Sequence, residues 1–105
     1  MMNKDYIKAL VDEAEALDPE NEVLWEINYD KRLAELSKNL DETIEFLDMC
    51  SEKELNWLSE TFDDLSEHFK SQKLIDCVER NVYRFSDKEL QEQLKMELYY
   101  MKMHL

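Results

Sequence analysis

The fold is decided in residues 51–69, which read SEKELNWLSETFDDLSEHF. Ser51 and Glu54 have the spacing of a capping box, in which each side chain accepts a hydrogen bond from a backbone N–H at the start of a helix. Behind them, apolar residues recur every three or four positions, at Leu55, Leu58, Phe62, Leu65 and Phe69. This spacing predicts one amphipathic helix that buries its apolar face in a core.

Helices are also expected before this stretch. Periodic apolar residues predict a first helix over residues 4–17. A second helix is expected to begin at about Pro19, with Asp18 as its N-terminal cap, and to run to Ser37 or beyond. Asn39 is the expected break before a third helical segment.

Two further helices are expected after the stretch, the first capped by Ser71 and the last begun by a second capping box at Ser86 and Glu89. The pattern Ser-x-Lys-Glu-Leu at residue 51 recurs at residue 86, as a repeated helical hairpin would require. We therefore expect an all-α fold of five or so helices in a single domain covering residues 1–105. The helices form either stacked hairpins, as in a HEAT-like solenoid, or a compact irregular bundle.

The second helix carries apolar residues on two faces. Trp25, Tyr29 and Leu33 share one face, whereas Val23 and Ile27 lie on another. A helix that is apolar on two sides is expected to lie between two neighbours and to bury both faces.

The charge of the chain limits its partners. The sequence has 26 acidic and 13 basic residues, a net charge of −13, and no glycine. Such a chain repels nucleic-acid backbones and anionic membranes, and it lacks the residue on which phosphate-binding loops depend. We therefore expect a protein partner with a basic surface, and neither a nucleic acid nor a membrane.

The first residues and the cysteines indicate the compartment. The start, MMNKD, has no apolar signal region, and no apolar run approaches the length of a membrane span. A cytoplasmic protein is therefore expected. In that compartment Cys50 and Cys77 are expected to be reduced, buried thiols.

The sequence offers little for catalysis. Asp64 and His68 have the spacing of a ligand pair on a helix, but zinc takes three or four ligands. Neither cysteine is flanked by a histidine, and most serines stand where helix capping accounts for them. We therefore expect a protein that is not an enzyme and that holds no cofactor or metal.

Acidic residues concentrate in two places. The run from Asp12 to Glu26 contains seven acids and no base. Four more acids face away from the apolar stripe of residues 51–69, and no base stands among them: Glu60, Asp63, Asp64 and Glu67. Capping and solvation account for part of this charge, but an uncompensated acidic face also suits a basic partner.

Aromatic residues lie at the edges of these acidic regions. Trp57 borders the second region, and tryptophan is a common anchor of interfaces. In the last helix a second apolar stripe that includes Tyr99 is either wrapped by earlier helices or exposed for a partner or a homodimer. The predicted partner-binding residues are Trp57, Glu60, Asp63, Asp64, Glu67, Glu20, Glu22, Glu26 and Tyr99.

One family resemblance covers about a third of the chain, from Ile44 to Val82. Its features are Phe46-Leu47-x-x-Cys50-Ser51-x-x-Glu54-Leu55, the apolar series that follows, and Ser71 with Leu74-Ile75. In these features the chain resembles the small, acidic, helical immunity proteins of bacterial toxin–immunity systems, such as polymorphic-toxin and contact-dependent-inhibition systems. The resemblance implies stoichiometric neutralisation of a cognate toxin domain, for example a nuclease, in the producing cell's cytoplasm. It assigns no contact residues.

Two alternatives remain open. A nucleic-acid mimic would inhibit a DNA-binding enzyme by the same charge attraction. A helical adaptor or homodimeric scaffold would instead work through the apolar stripe of the last helix, and its charge would serve only its solubility.

Overall fold

The computed structural model describes all 105 residues and contains seven α-helices and no strand. The all-α prediction is therefore confirmed, whereas the expected number of five or so helices was too low. The helices are α1 (Lys4–Ala16), α2 (Glu22–Leu36), α3 (Leu40–Met49), α4 (Glu52–Ser59), α5 (Phe62–Phe69), α6 (Gln72–Asn81) and α7 (Lys88–Lys102).

The stretch at residues 51–69 forms two helices, and the prediction of one was wrong. Helix α4 ends at Ser59, and α5 begins at Phe62. At the junction the Thr61 hydroxyl donates to the Leu58 carbonyl at 2.7 Å, which offers the backbone an alternative to continued helix. Leu58 and Phe62 lie on either side of the break and are both fully buried. The apolar spacing therefore continues across the break and gives no sign that one helix ends there.

Most of the predicted boundaries are confirmed. The first helix closely matches its predicted range, and Ser51 and Glu54 form the capping box. Asn39 caps α3 by accepting from the Glu42 N–H, and Ser71 caps α6.

Two predicted helix starts were wrong. Helix α2 begins at Glu22 and is capped by Asn21, while Asp18 accepts a hydrogen bond from the Glu20 N–H in the turn before it. Helix α7 is capped by Asp87, and not by Ser86. At α7 the neighbouring Asp87 takes the cap, because aspartate ranks at least as high as serine there. At α2 the Asp18 side chain serves the preceding turn, so Asn21 caps the helix.

The helices pack as a compact irregular bundle. Helix α7 lies against α4, α5 and α6; α1 packs on α2 and α4; and α3 packs on α6. All seven helices contribute to a single apolar core of 20 buried residues, and the molecule measures 33 × 32 × 24 Å. The absence of one long dimension and the non-sequential contacts favour the bundle over a linear stack of hairpins. None of the seven helices combines the length and the apolar composition that a membrane crossing requires.

Helix α2 buries one of its two predicted apolar faces only in part and leaves the other exposed, so the prediction that it buries both faces was wrong. Val23 is 69% exposed and Ile27 44% exposed. The buried face carries Leu36 and, beside it, the polar side chains of Asn28, Arg32 and Glu35. An apolar helix face is buried only where a neighbour covers it, and the main neighbours of α2 are α1 and α5.

The buried polar residues of α2 bond to the main chain of other segments. Asn28 Nδ2 donates to the Leu10 carbonyl in α1 at 2.9 Å. Glu35 Oε2 accepts from the Asn3 N–H, which precedes α1, at 2.8 Å. Buried polar groups that are paired in this way add specificity of docking where an apolar contact would add only area.

Arg32 is fully buried and joins α2 to the end of α4. Its Nη1 donates to the Trp57 carbonyl at 2.6 Å and to Glu60 Oε2 at 2.9 Å, and its Nε donates to Asn28 Oδ1 at 2.7 Å. Its other terminal nitrogen, Nη2, has no hydrogen-bond partner. A buried charge is tolerated only where such bonds replace water, so this guanidinium sets where α2 and α4 meet.

The two cysteines are buried and not bonded to each other, which confirms the expectation of free thiols. Burial raises the pKa of Cys50 to about 11 and that of Cys77 to about 12. Both sulfurs therefore stay protonated near neutral pH and pack as small apolar groups.

Removal of the Arg32 guanidinium should destabilise the fold. We expect Arg32→Ala to lower the free energy of unfolding by about 3 kcal/mol, because it leaves a cavity and removes the partner of the Asn28 oxygen and of the Glu60 carboxylate. Lys31→Ala, at the exposed neighbouring position, should cost less than about 0.5 kcal/mol. Urea unfolding of both variants measures the difference, and equal costs would contradict the role assigned to Arg32.

Candidate functional site

A groove opens between the C-terminal end of α1, the turn after it, helix α2 and the α4–α5 region. Its volume is about 1040 Å³, and twelve residues line it. Half of them are acidic: Glu15, Asp18, Glu22, Glu26, Asp30 and Asp64. Three are aromatic: Trp25, Tyr29 and Trp57. We call this feature the acidic aromatic groove.

The helical repeat of α2 builds one wall of the groove in two adjacent rows. Glu22, Glu26 and Asp30 follow one another at intervals of four residues and form a carboxylate row. Trp25 and Tyr29, also four apart, form an aromatic row beside it. Residues four apart on a helix lie one above the other, so the two rows run side by side along the axis.

The aromatic row is held in place by contacts on several sides. The rings of Trp25 and Tyr29 stack with their centroids 5.3 Å apart. The Tyr29 hydroxyl donates a hydrogen bond to the Asp64 carboxylate on the opposite wall. Burial, reinforced by the contact with Asp64, raises the pKa of Tyr29 above its usual range, so the hydroxyl keeps its proton. The Tyr29 ring is therefore fixed before any ligand arrives.

The negative charge of the groove is largely uncompensated within the chain. Among the six groove carboxylates only Glu15 lies within 4 Å of a basic side chain, at 3.9 Å from Lys53 Nζ. Lys53 itself lies closer to Asp12, at 2.8 Å. Carboxylates that face one another without a cation repel, and they create a strong local attraction for a positive group.

Four of the nine sequence-predicted residues come together in the groove: Trp57, Asp64, Glu22 and Glu26. Glu20 lies just outside, in a shallow depression that also includes Asp18 and Glu22. The two acidic regions, which are separate in sequence, thus meet at one site. They meet there because α2 packs on α5.

The other predicted residues lie elsewhere. Glu60 is paired with Arg32, and Asp63 Oδ1 lies 2.7 Å from His104 Nε2. Glu67 is exposed and does not line the groove. Other segments of the fold therefore bring basic groups to two of the four acids that sequence analysis grouped as one patch free of bases.

The second apolar stripe of α7 is exposed and lies away from the groove. Tyr99 is 63% exposed and Met103 61% exposed, and Met96 and Tyr100 are also exposed. Of the two interpretations that the sequence left open, wrapping by earlier helices is therefore excluded.

Sequence reasoning missed several groove residues, above all Trp25 and Tyr29. Both were assigned to a core-facing stripe, whereas Trp25 is 37% exposed. The signal that could have identified them is the interleaving of Glu22, Trp25, Glu26 and Tyr29, because aromatic and acidic residues on adjacent helical rows are typical of cation-binding surfaces.

Glu97 of α7 does not line the groove, but it is buried and lies close enough to Asp63 and Asp64 for their charges to raise its pKa. It is 8% exposed and accepts a hydrogen bond from Gln93 Nε2 at 3.2 Å. Burial and then the negative charges of Asp63, Asp64 and Glu60 raise its pKa to about 7. Glu97 therefore exchanges its proton in the neutral range behind the Asp64 wall.

The arrangement is suited to binding a positive group. No three His, Cys, Asp or Glu side chains are grouped so as to hold a metal ion. The two members of the possible ligand pair have other contacts: Asp64 accepts from Tyr29, and the His68 ring nitrogen lies 3.2 Å from the Ser37 carbonyl oxygen.

Comparison of the chain with protein-family models, with curated proteins and with solved structures finds no match.

The raised pKa of Glu97 predicts a pH dependence of stability. The folded-state pKa is about 7 and the ordinary value is 4.5, so the folded protein holds the extra proton between these values. Stability should therefore fall as pH rises through this window, by about 3 kcal/mol. Glu97→Gln should abolish that slope and be the more stable form at pH 8.

Urea unfolding between pH 5 and pH 8 measures this slope. Glu92→Gln on the same helix is the matched control, because the Glu92 side chain is 75% exposed and should leave the slope unchanged. A slope that persists in Glu97→Gln would show that another group carries the proton.

Proposed function

We propose that this protein is a non-catalytic binding protein that takes a basic protein partner into the acidic aromatic groove, one partner per chain. The observation that carries the proposal is the groove itself, in which five carboxylates without an ion-pair partner surround three aromatic rings. Such a site is costly for the isolated protein, because the like charges repel. A cationic surface of matching shape removes that cost.

The charge of the whole chain supports the same function. A net charge of −13 on a molecule whose longest dimension is 33 Å attracts a basic partner over about one Debye length and speeds its capture. The aromatic rings then supply contact area that is insensitive to salt. Steering by charge and anchoring by aromatic rings are the two components of many tight complexes.

We further propose that the partner is a toxin domain and that binding neutralises it in the bacterial cytoplasm. Two arguments support this. The sequence resembles small acidic helical immunity proteins in the features described above, and toxin domains that act on nucleic acids carry the basic clefts that an acidic groove complements. The concentration of acids in one concave site, rather than along a surface at phosphate spacing, gives less support to a nucleic-acid mimic.

The exposed stripe of α7 favours a second candidate, a homodimeric adaptor. Met96, Tyr99, Tyr100 and Met103 present an apolar surface without a covering element. Light scattering of the purified protein separates the candidates, because a stable dimer that is unaffected by salt supports the adaptor.

The proposed function predicts a salt-dependent complex that depends on the groove. We expect the chain to copurify in a 1:1 complex with a basic protein encoded in the neighbouring reading frame. Glu22→Gln combined with Glu26→Gln should slow association about tenfold at low salt, and the difference should shrink as salt rises. Surface plasmon resonance at several salt concentrations measures both effects.

The matched control removes the same charge far from the groove. Asp41→Asn combined with Glu92→Gln changes two carboxylates that are 83% and 75% exposed and outside the groove lining. This variant should retain nearly the full association rate. If it binds as slowly as the groove variant, net charge alone drives association, and the groove is not the site.

A further inference from the structure

We propose that the groove is built for an arginine side chain of the partner, whose guanidinium stacks on Trp25 while its N–H edge donates to the carboxylate row of α2. The inference rests on the proposed function and specifies its chemistry. It names the kind of residue that must stand at the centre of the partner's contact surface, and it separates arginine from lysine.

The two rows of α2 match the two requirements of a guanidinium. Stacking on an aromatic ring uses the flat face of the guanidinium and leaves its five N–H groups free in the plane. Because the carboxylate row of Glu22 and Glu26 lies beside the aromatic row of Trp25, those N–H groups can point at carboxylates while the plane stays on the ring. A lysine ammonium is a compact, strongly hydrated charge, and it offers no plane to stack.

Trp25 is the ring left free for this contact. The Tyr29 ring is already engaged, by Trp25 stacked at 5.3 Å and by the Arg32 guanidinium at 5.6 Å from its centroid. Trp57 is partly buried and packs against the apolar core. Trp25 stacks on Tyr29 and is still 37% exposed as a residue, so it can receive a further cation.

No basic side chain of the protein itself takes this place. Arg32 is fully buried, and its guanidinium donates hydrogen bonds to the Trp57 carbonyl and to Glu60. Lys53 approaches only Glu15 among the groove acids, and it does so at 3.9 Å. Charge complementarity therefore assigns the position to a group from a partner.

Peptide titrations test the inference. Three peptides of identical length and charge carry a central arginine, lysine or trimethyl-lysine, and the tryptophan fluorescence of the protein reports binding because both tryptophans line the groove. We expect the arginine peptide to bind about tenfold more tightly than the lysine peptide. Equal affinities overturn the arginine anchor and leave the basic-partner proposal intact. Tightest binding of trimethyl-lysine overturns it in favour of a quaternary ammonium ligand.

Two variants locate the contact. Trp25→Leu keeps an apolar side chain at the site but removes the π face, so it should abolish the preference for arginine over lysine. Tyr83→Leu, which removes another exposed aromatic ring outside the groove, should leave that preference unchanged. If the preference survives Trp25→Leu, the proposed stacking is wrong. If no peptide binds while the full partner still depends on Glu22 and Glu26, the anchor is wrong and the function stands.

Discussion

The buried guanidinium of Arg32 is the interaction on which the rest of the structure depends. It bonds to the Trp57 carbonyl at the end of α4 and to Glu60, and through Asn28 it is linked to the Leu10 carbonyl in α1. One polar network thus ties three helices together. Because the same helices carry the walls of the acidic aromatic groove, the network that fixes α2 also fixes the distance across the groove.

The burial of polar side chains on α2 follows from this way of docking. A helix held by apolar contacts alone would turn Val23 and Ile27 inward, and its acidic row would point elsewhere. Here paired polar groups hold the inner face together with Leu36, so the aromatic and carboxylate rows are presented along the groove. The arrangement costs stability, since buried charges lose hydration and the groove acids repel, and such costs are commonly concentrated at binding sites.

Electrostatics divides the acids of the α4–α5 region into two groups with different tasks. Glu60 is paired with Arg32, and Asp63 contacts His104. Burial and the charges of these neighbouring acids raise the pKa of Glu97, in α7, to about 7. Asp64 instead accepts from Tyr29 and faces the groove. Glu60 and Asp63 therefore have partners within the chain, whereas Asp64 has no ion-pair partner and remains available to a positive group.

Local interactions in the sequence by themselves determined the helical class, the start of α4 and the breaks at Asn39 and Ser71, because caps and apolar spacing act within a few residues. The same spacing concealed the break at Thr61, since both helices there bury the same face. Only the tertiary structure decided the burial of Arg32 and the assembly of the groove. The partners of Arg32 in α4 stand 25 and 28 residues away, and Asp64 stands 35 residues from Tyr29. Contacts at such separations depend on how whole helices pack, and a pattern of neighbouring residues carries no information about that packing.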